Sequence, residues 1–232
     1  MSIRALTCDT GGTILDWHNG LHSTFAAIGA ERGIEGDWAK ITNAYRRRSL
    51  EGMVDALRPE RNIDEVNRRV LDTLCPEFGL AAFTEADKDR IARTWHALDA
   101  WPECPAAMKR LRTKYRVVAL TILTTALVID VSRKNSIDWD CVISCEMIGI
   151  YKRRPEAYKT AAKWLQLDPS EIMMVAAHNS DLLAARACGF RSAFIRRPTE
   201  WGPEGQPVSP IPDPVHDIFA NDFADLATTL GV

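Results

Sequence analysis

The sequence has no long hydrophobic run. Its apolar stretches are short and interrupted by polar residues, and none approaches the roughly 18 residues needed to span a bilayer. The first residues, MSIRALTCDTGG, contain no long apolar region followed by a small-residue cleavage site. There is no excess of either charge. Lys plus Arg number 29 against 31 Asp plus Glu, a formal net charge of -2, so nothing calls for nucleic acid or an anionic membrane as partner. Six cysteines are present without a Cys-x-x-Cys pair, which reads as reduced, mostly buried thiols. Internal repeats and low-complexity tracts are also missing. These absences predict a cytoplasmic globular protein and leave its activity unnamed.

With 232 residues, the chain exceeds one minimal domain and falls short of two full ones. Strand-like runs at residues 3–8, 116–121, 141–144, 172–176 and 192–195 alternate with helical stretches near 104–114, 125–135, 155–166 and 180–188. Short, continuously apolar strands between helices predict a doubly wound, Rossmann-like parallel-sheet core of the α/β class. Residues 17–100 break that rhythm and read as helices near 20–32, 37–57, 61–75 and 85–98. The expectation is an all-helical cap, 17–99, inserted after the first strand into a core made of 1–16 plus 100–232. Half of the twelve prolines fall within 198–215, predicting an extended loop that is either a surface connection or the edge of a site.

Parallel sheets bind ligands at the carboxyl ends of their strands. Asp9, Thr121, Lys152 and Asp181 all fall at or just beyond such ends, so the topology predicts their convergence. Asp9 begins Asp9-Thr10-Gly11-Gly12-Thr13. A carboxylate there either makes a turn or serves as a nucleophile that forms an ester intermediate. Asp16 reads as the cap of the following helix.

The pattern Asp-x-x-Gly-Thr after the first strand, then Thr121, Lys152 and Asp181 in order, resembles the four motifs of the haloacid dehalogenase superfamily. The resemblance covers nearly the whole chain. Phosphatases of that superfamily carry a second Asp two residues after the nucleophile, where this chain has Gly11. They also hold Mg²⁺ with several oxygens, and the fourth motif usually supplies an acid where this chain has Ala177. A carbon–halogen bond needs neither a general acid nor a metal. The chain is accordingly similar to the type II (S)-2-haloacid dehalogenases, which implies a metal-free, cofactor-free enzyme acting on a small anionic 2-haloacid with water, giving halide and a 2-hydroxy acid. The alternatives are a Mg²⁺-dependent phosphohydrolase of the same superfamily and a non-catalytic, small-molecule-binding relative.

The resemblance implies a role for each site residue. Asp9 is the nucleophile, Lys152 keeps it ionised, and Asp181 orients Lys152 or activates water. Thr13 and Thr121 donate hydroxyls to Asp9 or to the substrate carboxylate, while Thr10 and Gly11 line the substrate. Tyr45-Arg46-Arg47-Arg48 resembles an aromatic-Arg stretch whose Arg stabilises the halide or substrate charge, with Arg46 preferred and Arg47 the alternative. Tyr158 either brings a hydroxyl to the reacting carboxylate or packs its helix. His178 and Asn179 stand where the family often has Asn and small residues; His178 either contacts substrate or water, or is structural. Further departures are Ile122-Leu123 for Asn-Gly, Arg153-Arg154 for Pro-Asp, Ser180 for an aromatic, and Gly11 for a bulky aromatic. The resemblance also points to a homodimer, which no residue pattern identifies.

Overall fold

The computed structural model describes residues 2–54, 61–203, 205 and 212–232. The chain enters through β1 (Ala5–Cys8) and passes into four helices, α1 (Trp17–Glu31), α2 (Trp38–Val54), α3 (Ile63–Glu77) and α4 (Glu85–Thr94). It returns through α5 (Cys104–Leu111), β2 (Arg116–Thr121), α6 (Thr125–Asn135), β3 (Cys141–Ser144) and the short α7 (Cys145–Ile148). It then completes α8 (Pro155–Leu165), β4 (Ile172–Ala176), α9 (Asn179–Ala187), β5 (Arg191–Ile195), β6 (Ile218–Ala220) and α10 (Phe223–Thr229).

The six strands form one parallel sheet in the order β3-β2-β1-β4-β5-β6. β1 and β4 are wholly buried, as a sheet covered on both faces requires. The strand order reverses at β1, which pairs with β2 on one side and β4 on the other, so the crevice at a topological switch point opens beyond Cys8. The expected doubly wound α/β core with helices inserted after the first strand is the observed fold.

Local signals place the inserted helices. Asp16 Oδ1 accepts the Asn19 N–H and starts α1, as expected, and Asn62 accepts the Glu65 N–H to start α3. Thr84 and Asp87 form a capping box at α4. Arg32 then clasps Asp87 through two 2.9 Å bonds, fastening the end of α1 to α4. The interior joins Leu21, Phe25 and Ile28 of α1 with Tyr45, Leu71, Leu74 and Ile91 in one cluster. Across to the sheet side, Thr124 at the start of α6 donates to Asp64 of α3 at 2.7 Å. Among the described residues, no helix is long and apolar enough to cross a membrane.

The structure departs from the sequence pattern in a few places. β1 starts at Ala5 rather than residue 3, and α4 ends at Thr94, followed by a 3-10 turn over Trp95–Ala97 rather than continued helix. The elements α7, β6 and α10 were not expected. β6 is an edge strand of only three residues, Ile218–Ala220, too short an apolar run to read as a strand. Four cysteines are buried, whereas Cys141 is exposed and Cys188 half-buried. The extension of the second inserted helix to residue 57 and the loop prolines Pro207 and Pro210 lie outside the described residues.

Candidate active site

Asp9 leaves β1 while still bound to the sheet, its N–H donating to Val175 O at 2.9 Å. The chain turns at once, with Thr10 O accepting from the N–H of both Ile14 and Leu15. Gly12 makes this possible with a φ of +85°. A β-carbon there would also overlap the Glu200 carboxylate, so the turn must be bare for Glu200 to approach. The turn brings Thr13 back under Asp9, where its hydroxyl donates to Asp9 Oδ2 at 2.7 Å and accepts from the Ala177 N–H at 3.0 Å.

Lys152 completes the other side. Its Nζ donates to Asp9 Oδ1 at 2.9 Å and to Asp181 Oδ2 at 2.8 Å, and Tyr158 donates to Asp181 Oδ1 at 2.6 Å. Asp9, Lys152 and Asp181 retain only 6%, 4% and 5% exposure, so their charges are felt in a poorly screened environment. Burial alone would raise the Asp9 carboxyl, but Lys152 and His178 outweigh it and hold the group well below the usual carboxylate range. Burial likewise acts to lower the Lys152 ammonium; Asp181 and Asp9 reverse this, leaving it above its ordinary value. The arrangement keeps Asp9 ionised and Lys152 charged.

His178 sits between two acids. Its Nδ1 is 3.3 Å from Asp9 Oδ2, and Nε2 is 2.9 and 3.1 Å from the two Glu200 oxygens. Burial disfavours its charge, but Glu200 and Asp9 raise its pKa to about 10. Trp17 of α1 donates from Nε1 to Glu200 Oε1 at 3.1 Å, so Glu200 links the inserted helices to the end of β4.

Arg46 closes the opposite wall. Residues 42, 45, 46, 49 and 53 form the buried stripe of α2, and Arg46 lies on it at 3% exposure. Its guanidinium carbon stands 4.8 Å from the Trp95 ring centroid and 5.7 Å from that of Trp17. Nε and Nη1 have no hydrogen-bond partner among the described residues. Burial lowers its pKa from the ordinary value, against the pull of Glu200 and Asp9. Arg47 points elsewhere: it is exposed and rests 5.0 Å over the Trp201 ring.

A cavity of about 260 Å³ lies between these walls. Asp9, Lys152, Asp181, His178, Glu200 and Arg46 supply its charged inner lining, and Leu50, Ile122 and Trp201 its apolar part. Gly11 also lines it, and a β-carbon there would come within 3.2 Å of Arg46 Nη2. An ionised carboxylate facing a buried guanidinium across the cavity suits an anionic ligand with a reactive centre between the two. Among the described residues, no group of three or more His, Cys, Asp and Glu side chains is placed to hold a metal.

Other expected site residues fall differently. Thr10 and Thr121 bond each other at 2.6 Å, and Thr121 Oγ1 also accepts from the Leu123 N–H, so neither hydroxyl addresses Asp9 and neither residue lines the cavity. The Tyr158 hydroxyl meets Asp181 rather than Asp9. Asn179 Oδ1 accepts from Asp213 N and lies 3.0 Å from His216 Nε2; Asn179 is not on the cavity wall, because its position at the start of α9 turns it toward residues 213–216. Sequence reasoning missed Glu200 and Trp201. The one available signal is the run of prolines in the segment that carries them; of its described residues, Glu200 and Trp201 line the cavity.

A helix-covered, doubly wound α/β fold with an acid–lysine–acid cluster at its switch point defines the class of protein. The family profile of haloacid dehalogenase-like hydrolases matches residues 3–189, and the chain belongs to that family. It is 27% identical to (S)-2-haloacid dehalogenase 1 of Pseudomonas sp. (strain CBS-3), over 84% of this chain and 85% of the relative. Among solved structures it is similar to the L-2-haloacid dehalogenase PA0810, with 37% identity, a TM-score of 0.90 and coverage of 99% of both chains. The defluorinating L-2-haloacid dehalogenase Rha0230 has 33% identity and a TM-score of 0.91, over 99% of this chain and 96% of the other.

Proposed function

We propose that this chain hydrolyses small (S)-2-haloalkanoic acids to 2-hydroxy acids through an ester on Asp9. The relatives are hydrolases named for this reaction, and that supports dehalogenation over phosphate-ester hydrolysis. Gly11 and Ala177, where a phosphatase would carry acids, favour the same choice. The observation that carries the reading is the Asp9 carboxylate, held ionised by Lys152, Thr13 and His178 and facing Arg46 across the cavity.

Asp9 attacks the carbon bearing the halogen. The carbon–halogen bond breaks with its electron pair on the halide, and the configuration inverts. Arg46 offsets the charge of the substrate and of the departing halide, which would otherwise be brought beside a like-charged nucleophile. Water then adds to the Asp9 carbonyl carbon, and the ester opens to the hydroxy acid and a restored carboxylate. Asp181, with both oxygens engaged by Lys152 and Tyr158, orients the lysine. In this reading residues 17–99 act as the cap over a core of 1–16 plus 100–232. The enzyme is cytoplasmic and works as a homodimer, an assembly that sedimentation tests.

The test is release of chloride and lactate from (S)-2-chloropropionate in the presence of a chelator, with the (R) enantiomer as control. In heavy-oxygen water, the hydroxyl formed in a single turnover comes from Asp9 and is unlabelled, and label appears only in later turnovers. Asp9→Asn is expected to abolish both products. A folded protein inactive on every 2-haloacid, or metal-dependent phosphate release, sinks the reading.

A further inference from the structure

We propose that His178 is protonated in the resting enzyme, gives up its proton when Asp9 is alkylated, and recovers one from the water that opens the ester. This rests on the reading of Asp9 as nucleophile. The basis is geometric. Each ring nitrogen faces a carboxylate: Nδ1 lies 3.3 Å from Asp9 Oδ2, and Nε2 lies 2.9 and 3.1 Å from the Glu200 oxygens. Only the imidazolium has an N–H at both positions, so a neutral ring would turn a lone pair toward one acid.

Alkylation changes one of these neighbours. The Asp9 carboxylate becomes a neutral ester, and the charge facing Nδ1 disappears. Asp9 is one of the two carboxylates that lift His178 to about 10, and burial, which favours the neutral ring, then meets only Glu200. Beyond Asp9 and Glu200, the charged groups on the cavity wall are Arg46, Glu51, Lys152, Arg153 and Asp181. The ammonium of Lys152 keeps Asp181 as a partner after Asp9 is esterified, so it has no comparable reason to lose a proton. Asp181 has both oxygens engaged, by Lys152 and Tyr158, and Glu200 accepts from Trp17 and faces His178. His178 is therefore the group whose proton count follows the charge on Asp9.

The cycle balances. In the first step the bond from an Asp9 oxygen to the substrate carbon forms, halide leaves with the electron pair, and His178 passes a proton to solvent. In the second, water oxygen adds to Asp9 Cγ while one water proton goes to Nδ1. The tetrahedral adduct collapses, the bond from Cγ to the ester oxygen breaks, and that oxygen takes the other water proton as the hydroxy acid leaves. Carboxylate and imidazolium are restored. Glu200 is a positioning residue: its charge sets how firmly His178 holds the proton, and its bond to Trp17 fixes where it stands.

Wild-type, His178→Gln and Glu200→Gln proteins are mixed with excess (S)-2-chloropropionate in weak buffer with a pH indicator. Chloride, protons and lactate are followed through the first turnover, and the ester is detected by intact mass. Wild-type enzyme should release its proton with chloride. His178→Gln should release first-turnover chloride without a proton, accumulate the ester, and form lactate about a hundredfold or more slowly. Glu200→Gln should shift the acid limb of lactate formation to lower pH and release less than one proton with chloride. The proposal is overturned if His178→Gln slows chloride and lactate equally with no ester, if its chloride still appears with a proton, or if Glu200→Gln lowers the rate uniformly across pH. Absence of chloride from the wild-type enzyme would instead remove the dehalogenase reading itself.

Discussion

The Lys152 ammonium lies 2.9 Å from Asp9 Oδ1, and the two residues are 143 positions apart in the chain. Asp9 sits at the end of β1, whereas Lys152 comes from the turn between α7 and α8. The pair exists because β1 occupies the middle of the sheet, with β2 and β3 to one side and β4 to the other.

Replacing Lys152 with Met should leave Asp9 and Asp181 buried without their shared cation. Breaking a buried ion pair from one side costs about 3–5 kcal/mol, so the denaturant midpoint should fall clearly and the halide-release rate should collapse. Lys152→Arg should not restore the rate, because a planar fork cannot place one nitrogen between the two oxygens as Nζ does. Urea titration and a chloride assay check both points.

Arg46→Lys should behave almost like Arg46→Met in catalysis. The guanidinium lies over two indole rings and leaves Nε and Nη1 without hydrogen-bond partners among the described residues, an arrangement that an ammonium does not reproduce. A fall in kcat/KM of about a hundredfold or more is expected, in line with the loss of a donor aimed at developing charge. An active Arg46→Lys enzyme together with a dead Arg47→Lys enzyme would contradict the placement.

The charge on His178 gives a stability profile with a definite sign. Its pKa is raised from 6.5 to about 10 in the folded protein, so between those values the folded state binds more protons than the unfolded one. The stabilisation is fully present below about 6.5 and is lost as pH rises through 10. Urea midpoints should decline across that window, and His178→Gln should flatten the decline. The Asp9 contribution has the opposite sense. Its depressed pKa stabilises the fold above the unfolded carboxylate value and is lost as pH falls below it.

Gly12→Ala should destabilise the fold by about 1–2 kcal/mol from the positive φ alone. The added β-carbon would also displace the Glu200 carboxylate from His178 and Trp17. Thermal denaturation should show the first effect. A pH–rate profile altered as in Glu200→Gln should show the second. Gly33→Ala, at a positive φ with open space around the β-carbon, is the control that shares only the backbone strain.

Much of this architecture was legible in the chain. The strands at 116–121, 141–144 and 172–176 match the sequence pattern to the residue, because buried parallel strands are short apolar runs, and the helix expected near 125–135 is α6, which the Thr124 side chain caps in the structure. β6 and α10 were not seen, since a three-residue edge strand and a seven-residue helix carry too little pattern. Asp9, Lys152 and Asp181 are legible because each lies at or beyond the end of a recognisable strand and matches, in order, a motif of the family that the chain resembles. Glu200 was not, because it lies in a loop where local pattern says nothing about direction.

By itself, the sequence determined the parallel-sheet core, the helical insertion and the convergence of Asp9, Lys152 and Asp181, all consequences of short-range apolar periodicity and of where strands end. Tertiary structure alone decided which arginine turns inward, that Tyr158 serves Asp181 and not Asp9, that Asn179 turns away from the cavity, and that His178 is held between Asp9 and Glu200. These depend on the rotation of α2 and on where Glu200, just after β5, stands against Gly12. Contacts between residues so far apart in sequence leave no local trace of their geometry.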